Sequence, residues 1–339
     1  MIWGFRMAKK VFILLVMAAV LAGGCSTAGR AEDHYASAVL LMEDFEVEAA
    51  LKELDRAISM DNELVLAYST KGDILRLEGR YNEAAAVYEK AVALDRMSFR
   101  DYFSLGLVYQ ALEQLNKAAK AYYRACLLQP EHYESNFNLS TCYLQLDQLD
   151  NAEKFCRRAM WLDDSRAETK VNLGVIQDLR QDYDGAIQSY QRAIEQDPAQ
   201  PQVFVNLGGV YLKQDRFTES EKNLRQAIKL NPNLAIAHER LGLCLYRQRK
   251  YQEALAEYEQ ALQMDESSAA AHLGAGVTQM AMYLKDGSRT DLKDQAVRDW
   301  RRSLQLDPDQ PNLRAILQKY AGGEVEVTPL ASEVFPTEP

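Results

Sequence analysis

Apolar positions recur along this chain at the spacing of a helix, and the pattern is cut at regular intervals. Over residues 65–96, Tyr68, Lys71, Gly72 and Leu75 fall at helical spacing, and Gly79-Arg80 interrupts them. Ala84, Tyr88 and Ala91 resume the pattern, and Asp95-Arg96 ends it. Two amphipathic helices of about three to four turns joined by a tight turn are predicted. Elsewhere Pro130, Pro198, Pro232 or Pro308 closes the unit. Proline has no amide hydrogen and clashes with the preceding turn, so each stops a second helix. One such hairpin cannot bury its apolar face alone, whereas stacked neighbours can.

The unit returns every 34 residues without a register slip. Its eighth position is Ala38, Gly72, Gly106, Ser140, Gly174, Gly208, Gly242 and Gly276. Position 20 is equally small, from Ala50 through Ala152 and Ser220 to Ala296. So is position 27, from Ala57 through Ala193 to Ser303. A slot that admits only Gly, Ala or Ser marks a close approach between helices. Position 24 is the opposite, with Tyr88, Tyr122, Tyr190, Tyr258 and Trp300, which read as core rings facing small residues. A period of 34 with small residues at 8, 20 and 27 resembles the tetratricopeptide repeat family over residues 31–308. The resemblance implies an all-α chain, a right-handed α-solenoid of about eight helix-turn-helix repeats.

Two departures follow. The eighth unit carries eight extra residues within Met282–Asp294. Its first helix is expected to continue through Tyr283-Leu284, Gly287-Ser288 to turn the chain, and Thr290 to cap the second helix. Pro311–Tyr320 reads as a capping helix, with Leu313, Ile316, Leu317 and Tyr320 on one face. Gly322-Gly323 ends it, and the acidic remainder is expected to be disordered.

At the other end, Arg6, Lys9 and Lys10 precede an apolar run, Val11–Ala22. At about 1.5 Å per residue that run is too short to span a bilayer, and it reads as a secretory signal starting at Met1 or Met7. Small residues before Cys25 resemble a bacterial lipobox, with Ala22 where Leu is usual. Cleavage near Ala22 or Ala28 of an ordinary signal is the alternative. With a lipobox, residues 1–24 are removed, Cys25 is lipidated, and residues 25–30 form a linker. Several acyl chains, at about 0.8 kcal/mol per buried methylene, anchor stably. Ser26 then points to the outer membrane, facing the periplasm, with a secreted periplasmic protein or an inner-membrane lipoprotein as alternatives.

Charge narrows the partners. Removal of Arg6, Lys9 and Lys10 takes the formal charge from −10 to −13. Nucleic acid, whose phosphates demand basic patches, is not expected. The same balance argues against an anionic membrane as a surface partner, leaving the N-terminal lipid as the membrane contact. Cys126, Cys142, Cys156 and Cys244 lack metal-ligand spacing and read as small buried apolar residues. Cys142 and Cys156 lie on the two helices of one hairpin and are the pair expected if a disulfide forms in an oxidising periplasm. Of the four histidines, His238 and His272 share position 4, and His34 and His132 stand alone. No phosphate loop, nucleophile elbow, dinucleotide fingerprint or metal constellation is present, so no catalytic residue, cofactor or metal is expected.

Helix-A positions 4, 7, 8 and 11 share one direction, and positions 2, 6, 9 and 13 point away from it. Position 6 holds Asn138, Asn172 and Asn206 in three consecutive units. Asparagine costs roughly 0.5 kcal/mol against alanine in a helix, so three in phase need a reason. A primary amide pairs with both the N–H and the C=O of an extended peptide. The trio resembles the asparagine ladder of some tetratricopeptide superhelices. Position 5 holds Phe103, Phe137, Val171 and Val205, an apolar wall beside those rungs. The family's clamp for acidic chain ends needs basic residues that are not found as a set. The expected function is therefore a non-enzymatic, lipid-anchored periplasmic scaffold holding a peptide or protein partner in a concave groove. Cell-envelope, pilus or secretion assembly is the expected setting. The alternatives are a spacer or assembly hub acting through its convex face, or an adaptor for envelope hydrolases or proteases.

Overall fold

The computed structural model describes residues 27–321, and among these every regular element is an α-helix. Cys25, the signal segment and the acidic tail lie outside the described residues. The chain divides into two compact units at Asp163/Asp164. The first contains α1 (Thr27–Glu43), α2 (Val47–Met60), α3 (Val65–Leu77), α4 (Tyr81–Leu94), α5 (Phe99–Ala111), α6 (Leu115–Leu128), α7 (Tyr133–Gln145) and α8 (Leu149–Leu162). The second contains α9 (Ala167–Leu179), α10 (Tyr183–Gln196), α11 (Pro201–Lys213), α12 (Phe217–Leu230), α13 (Ala235–Arg247), α14 (Tyr251–Met264), α15 (Ala269–Lys285), α16 (Thr290–Leu306) and α17 (Pro311–Ala321). Within each unit, consecutive helices pair as hairpins, and each hairpin packs on the next.

The pairing rests on the small slots. A Cβ added at Gly72, Gly106 or Gly174 would lie 2.7, 2.6 or 2.6 Å from the ring of Tyr88, Tyr122 or Tyr190. Gly276 meets Trp300 in the same way at 2.6 Å. Ring and glycine are thus matched inside these hairpins, at positions 24 and 8, while a Cβ on Gly208 would meet Leu224 at 2.7 Å. Where position 8 carries a side chain, position 24 shrinks: Ser140 is matched with Cys156 and Ala38 with Leu54, all fully buried. The four described cysteines are buried, and none of them is joined in a disulfide. Burial pushes the Cys142 thiol up to about 11 and the Cys126 thiol up to about 12, which keeps both protonated and inert.

Every ordinary hairpin turns through a left-handed residue at position 15. These are Phe45, Gly79, Glu113, Asp147, Gln181, Asp215 and Arg249, with φ between 55° and 73°. The following amide closes a long-range turn bond, as in Arg80 N to Leu75 O at 2.8 Å and Gln114 N to Tyr109 O at 2.9 Å. That is the Schellman closure. Only Gly79 adopts it without a Cβ penalty.

Several expectations need correction. The first helix begins at Thr27, inside the segment expected to be linker. Thr290 is the first helical residue of α16, and Arg289, which makes no side-chain cap bond, precedes it. The extra residues of the eighth unit lengthen its helices to 17 residues each, against 13 and 14 in its neighbour. The first of these helices continues through Tyr283-Leu284 as expected. The capping helix forms as expected, with Leu313, Ile316 and Tyr320 buried.

Candidate functional site

The buried arc of the A helices is wider than the apolar pattern suggested. Position 3 is buried as Ala67, Asp101, Ser135, Thr169, Val203, Ala237 and Ala271, and position 10 as Ile74, Val108, Cys142, Ile176, Val210, Cys244 and Thr278. Position 4 is a polar tether. Asn136 Nδ2 donates to the Pro130 carbonyl at 3.1 Å, His238 Nε2 contacts the Pro232 carbonyl at 3.1 Å, and His272 Nε2 the Glu266 carbonyl at 3.3 Å. Lys170 donates to the Asp164 carbonyl in the same manner. Each ties an A helix to the loop that precedes it. The two position-4 histidines also face carboxylates, His238 with Glu257 at 2.6 Å and His272 with Asp299 at 2.8 Å. They are structural ties at the seams between repeats.

Position 5 is chiefly packing. Phe103 lies against Phe99, Tyr122 and the His132 ring at centroid distances of 5.9, 5.8 and 5.0 Å. Phe137 stacks on Tyr133 at 5.9 Å. Val171 packs on the Tyr190 cluster. Val205 is 0% exposed, so it belongs to the core and not to a groove wall. The correction has a geometric cause: position 5 sits one helical step from position 4 and packs at the seam of its own hairpin and the next, as Val205 does with Ala227 and Ala237.

Position 6 is different. Asn138, in the first unit, and Asn172 and Asn206, in the second, are all half-buried. In the first unit this position meets the hydroxyl of the preceding ring. Tyr122 Oη donates to Gln110 Oε1 at 2.8 Å, and the Asn138 amide adjoins it. Tyr88 Oη donates to Asp73 Oδ1 at 2.6 Å, and Ser104 adjoins it. Burial raises the pKa of both tyrosines, so both keep their proton. In the second unit, a Cβ on Gly274 would lie 2.2 Å from Tyr258 Cζ, so the ring dictates glycine there. The position-24 tyrosines are therefore core by their rings and inner-face by their hydroxyls.

The inner face of the second unit adds cations. Arg240, also at position 6, donates from Nη1 to the Val205 carbonyl at 3.0 Å. Its guanidinium lies over Gly209, where a Cβ would stand 2.8 Å from Nη1. Asn206 Oδ1 accepts from Gln202 Nε2 at 3.2 Å, and Lys213 Nζ holds Asp178 at 3.2 Å. Burial, reinforced by the Asp178 charge, raises the Tyr190 pKa, and Arg240 partly offsets this. Asn172, Asn206 and Arg240 occupy one column in successive hairpins, with donors and acceptors arrayed beside it. Among the described residues no group of three or more His, Cys, Asp or Glu could hold a metal ion, and no helix is long and apolar enough to cross a membrane.

Residues 17–280 match the family model of the cilia and flagella-associated protein 70 C-terminal domain, a tetratricopeptide-repeat domain. The chain belongs to this tetratricopeptide-repeat family. Among solved structures, a chain of the APC/C hetero-tetramer Cut9–Hcn1 is similar over 85% of this chain and 55% of its own, at 14% identity and a TM-score of 0.60. The PilF protein of Pseudomonas aeruginosa is similar over 64% and 96%, at 21% identity and a TM-score of 0.55. The C-terminal part of a TPR repeat-containing protein from Cytophaga hutchinsonii is similar over 73% and 98%, at 18% identity and a TM-score of 0.55. These likenesses establish the fold. No curated protein sequence matches the chain significantly. The stacked-hairpin fold brings Asn172, Asn206 and Arg240 into one column.

Proposed function

We propose that this tetratricopeptide-repeat chain is a lipid-anchored periplasmic scaffold that holds an extended segment of a partner protein along the inner face of its A helices. The observation that carries the groove is the position-6 column. Asn172, Asn206 and Arg240 recur at 34-residue intervals on a half-buried face, each followed by a buried leucine. Amides and a guanidinium at that repeat address a peptide backbone and its carboxylates irrespective of sequence. Anchoring through Cys25 at the outer membrane, and a role in envelope, pilus or secretion assembly, complete the reading. Their support is the signal-like N-terminus followed by small residues and a lone cysteine. A spacer or hub working through the outer face, or an adaptor for envelope hydrolases or proteases, is the competing reading.

The test is capture of envelope proteins, solubilised in detergent, on the wild-type chain and on Asn172→Ala/Asn206→Ala/Arg240→Ala. A partner lost by the variant and retained by the wild type supports the groove. A partner retained equally by both assigns recognition to the outer face.

A further inference from the structure

The chain is acidic overall, yet two adjacent helices of the first unit reverse that sign locally. α6 carries Lys117, Lys120 and Arg124 and has no acidic residue. α8 carries Lys154, Arg157 and Arg158 against Asp150 and Glu153, and Glu153 is spent on Arg157 at 2.7 Å. Positions 22, 26 and 29 of a unit are spaced i, i+4, i+7 and form one stripe on the second helix. On α6 that stripe reads Lys120, Arg124, Leu127, and on α8 Lys154, Arg158, Trp161. The order cation, cation, apolar is repeated side by side. The Tyr123 and Phe155 rings, 6.1 Å apart, join the two helices.

Exposure makes the stripe unusual. Trp161 is 69% exposed and Leu127 53%. The cations lie over rings: Arg158 over Trp161 at 4.4 Å, Lys154 over Phe155 at 5.4 Å and Arg124 over Tyr102 at 5.7 Å. Equivalent positions on α4 hold Ala86, Lys90 and Ala93, and on α14 Ala256, Gln260 and Gln263. Stacking of repeats therefore does not require the stripe.

We propose that this face of α6 and α8 docks on an anionic phospholipid surface. Lys and Arg meet the headgroup phosphates, while Trp161 and Leu127 enter the boundary between headgroups and acyl chains. Tryptophan paired with arginine suits that boundary, because the ring is apolar and its cation stays at the phosphates. The net negative charge does not forbid it. At physiological salt, fields decay over about 8 Å, so the membrane senses the six local cations, offset only by Asp150 and Glu153, more than distant carboxylates. Each cation near such a surface raises partitioning by roughly fivefold. This surface is separate from the position-6 column, so either reading can fail without the other.

The experiment is co-sedimentation of the mature chain, residues 25–339 carrying Cys25→Ser, with two kinds of vesicle, and the buried Trp300 supplies a constant background to Trp161 emission. One is phosphatidylcholine alone, and the other is equimolar phosphatidylcholine and phosphatidylglycerol. The chain is expected to partition preferentially to the anionic vesicles, with a blue shift of Trp161 emission and its quenching by bromolipids. Lys120→Glu, Arg124→Glu, Lys154→Glu and Arg158→Glu together should lower the anionic partitioning by roughly a hundredfold or more. An equal charge change in the second unit, Arg192→Glu, Lys222→Glu, Lys229→Glu and Arg298→Glu, should not. Equal losses in the two variants would overturn the proposal. So would absence of Trp161 quenching in the chain with its stripe intact, a readout that needs no charge variant to fold. A chain that ignores the vesicles but binds poly-glutamate through the same four cations would replace the lipid by an acidic protein segment.

Discussion

Replacing Gly174 by alanine sets two known effects against each other. Alanine in a helix interior is favoured over glycine by about 1 kcal/mol. Against that, the new Cβ would lie 2.6 Å from Cε1, 2.8 Å from Cδ1 and 2.9 Å from Cζ of Tyr190. Carbon pairs are most stable at about 3.5–4.0 Å, so the ring must withdraw by roughly 1 Å from a site where it is almost wholly buried. Overpacking of this kind costs about 1–3 kcal/mol, and the expected balance is a net loss of about 1 kcal/mol. The decisive measurement is a double-mutant cycle by chemical denaturation. Tyr190→Leu loses contacts and destabilises by itself. Combined with Gly174→Ala it reproduces the Ala38–Leu54 pairing of the first hairpin. The double variant should therefore be more stable than the sum of the single changes by about 1–3 kcal/mol. Additivity within about 0.5 kcal/mol, or stabilisation by Gly174→Ala alone, would refute the claim that this ring dictates glycine at position 8.

Other substitutions probe other layers of the argument. Asn172→Ala with Asn206→Ala should leave thermal melting unchanged or slightly raised. Asn138→Ala should cost up to about 1 kcal/mol, because the half-buried Tyr122 hydroxyl loses a polar neighbour and keeps Gln110; a melt showing the reverse order would misplace the seam. Cys25→Ser should move the folded chain from membranes to the soluble fraction, and retention after salt and carbonate washes would locate the anchor elsewhere. Burial alone would raise the Glu221 carboxyl, but bonds from Gln248, Lys250 and Arg225 hold it down at about 2. Its contribution is thus present above the ordinary value of 4.5 and lost as pH falls toward 2. Glu221→Gln should accordingly flatten the loss of stability over that window by at most about 3 kcal/mol, less after solvent screening, and equal acid profiles would contradict it. Phe45 is 87% exposed and left-handed at φ 62°, so Phe45→Gly should stabilise by up to about 1 kcal/mol, read as a higher unfolding midpoint.

The repeat, its hairpins and its capping helix were legible because close packing writes itself into residue size. Gly72, Gly106 and Gly174 recur where a ring lies less than 3 Å from an absent Cβ, and Tyr88, Tyr122 and Tyr190 recur opposite them. Where position 8 gains a side chain, position 24 shrinks, as with Ser140 and Cys156. The turn conformation was not legible in the same way. Glu113, Asp147, Gln181, Asp215 and Arg249 adopt positive φ as firmly as Gly79 does. There the closing backbone bond fixes the conformation, and residue type only adjusts its cost. Position 5 misled for a related reason: an apolar residue one step from the buried arc looks alike whether it meets a ligand or the next hairpin, and Val205 meets the hairpin. The asparagines at position 6 answer to two demands at once. The tyrosine hydroxyl emerging from the preceding hairpin needs a polar neighbour, which Asn138 supplies to Tyr122 and Ser104 to Tyr88. Packing therefore accounts for polarity at this position. It does not account for Arg240, whose guanidinium reaches back over Gly209 to a backbone carbonyl of the preceding hairpin. That bond to a main chain from this face is the reason the proposed recognition column is put in the second unit, at Asn172, Asn206 and Arg240.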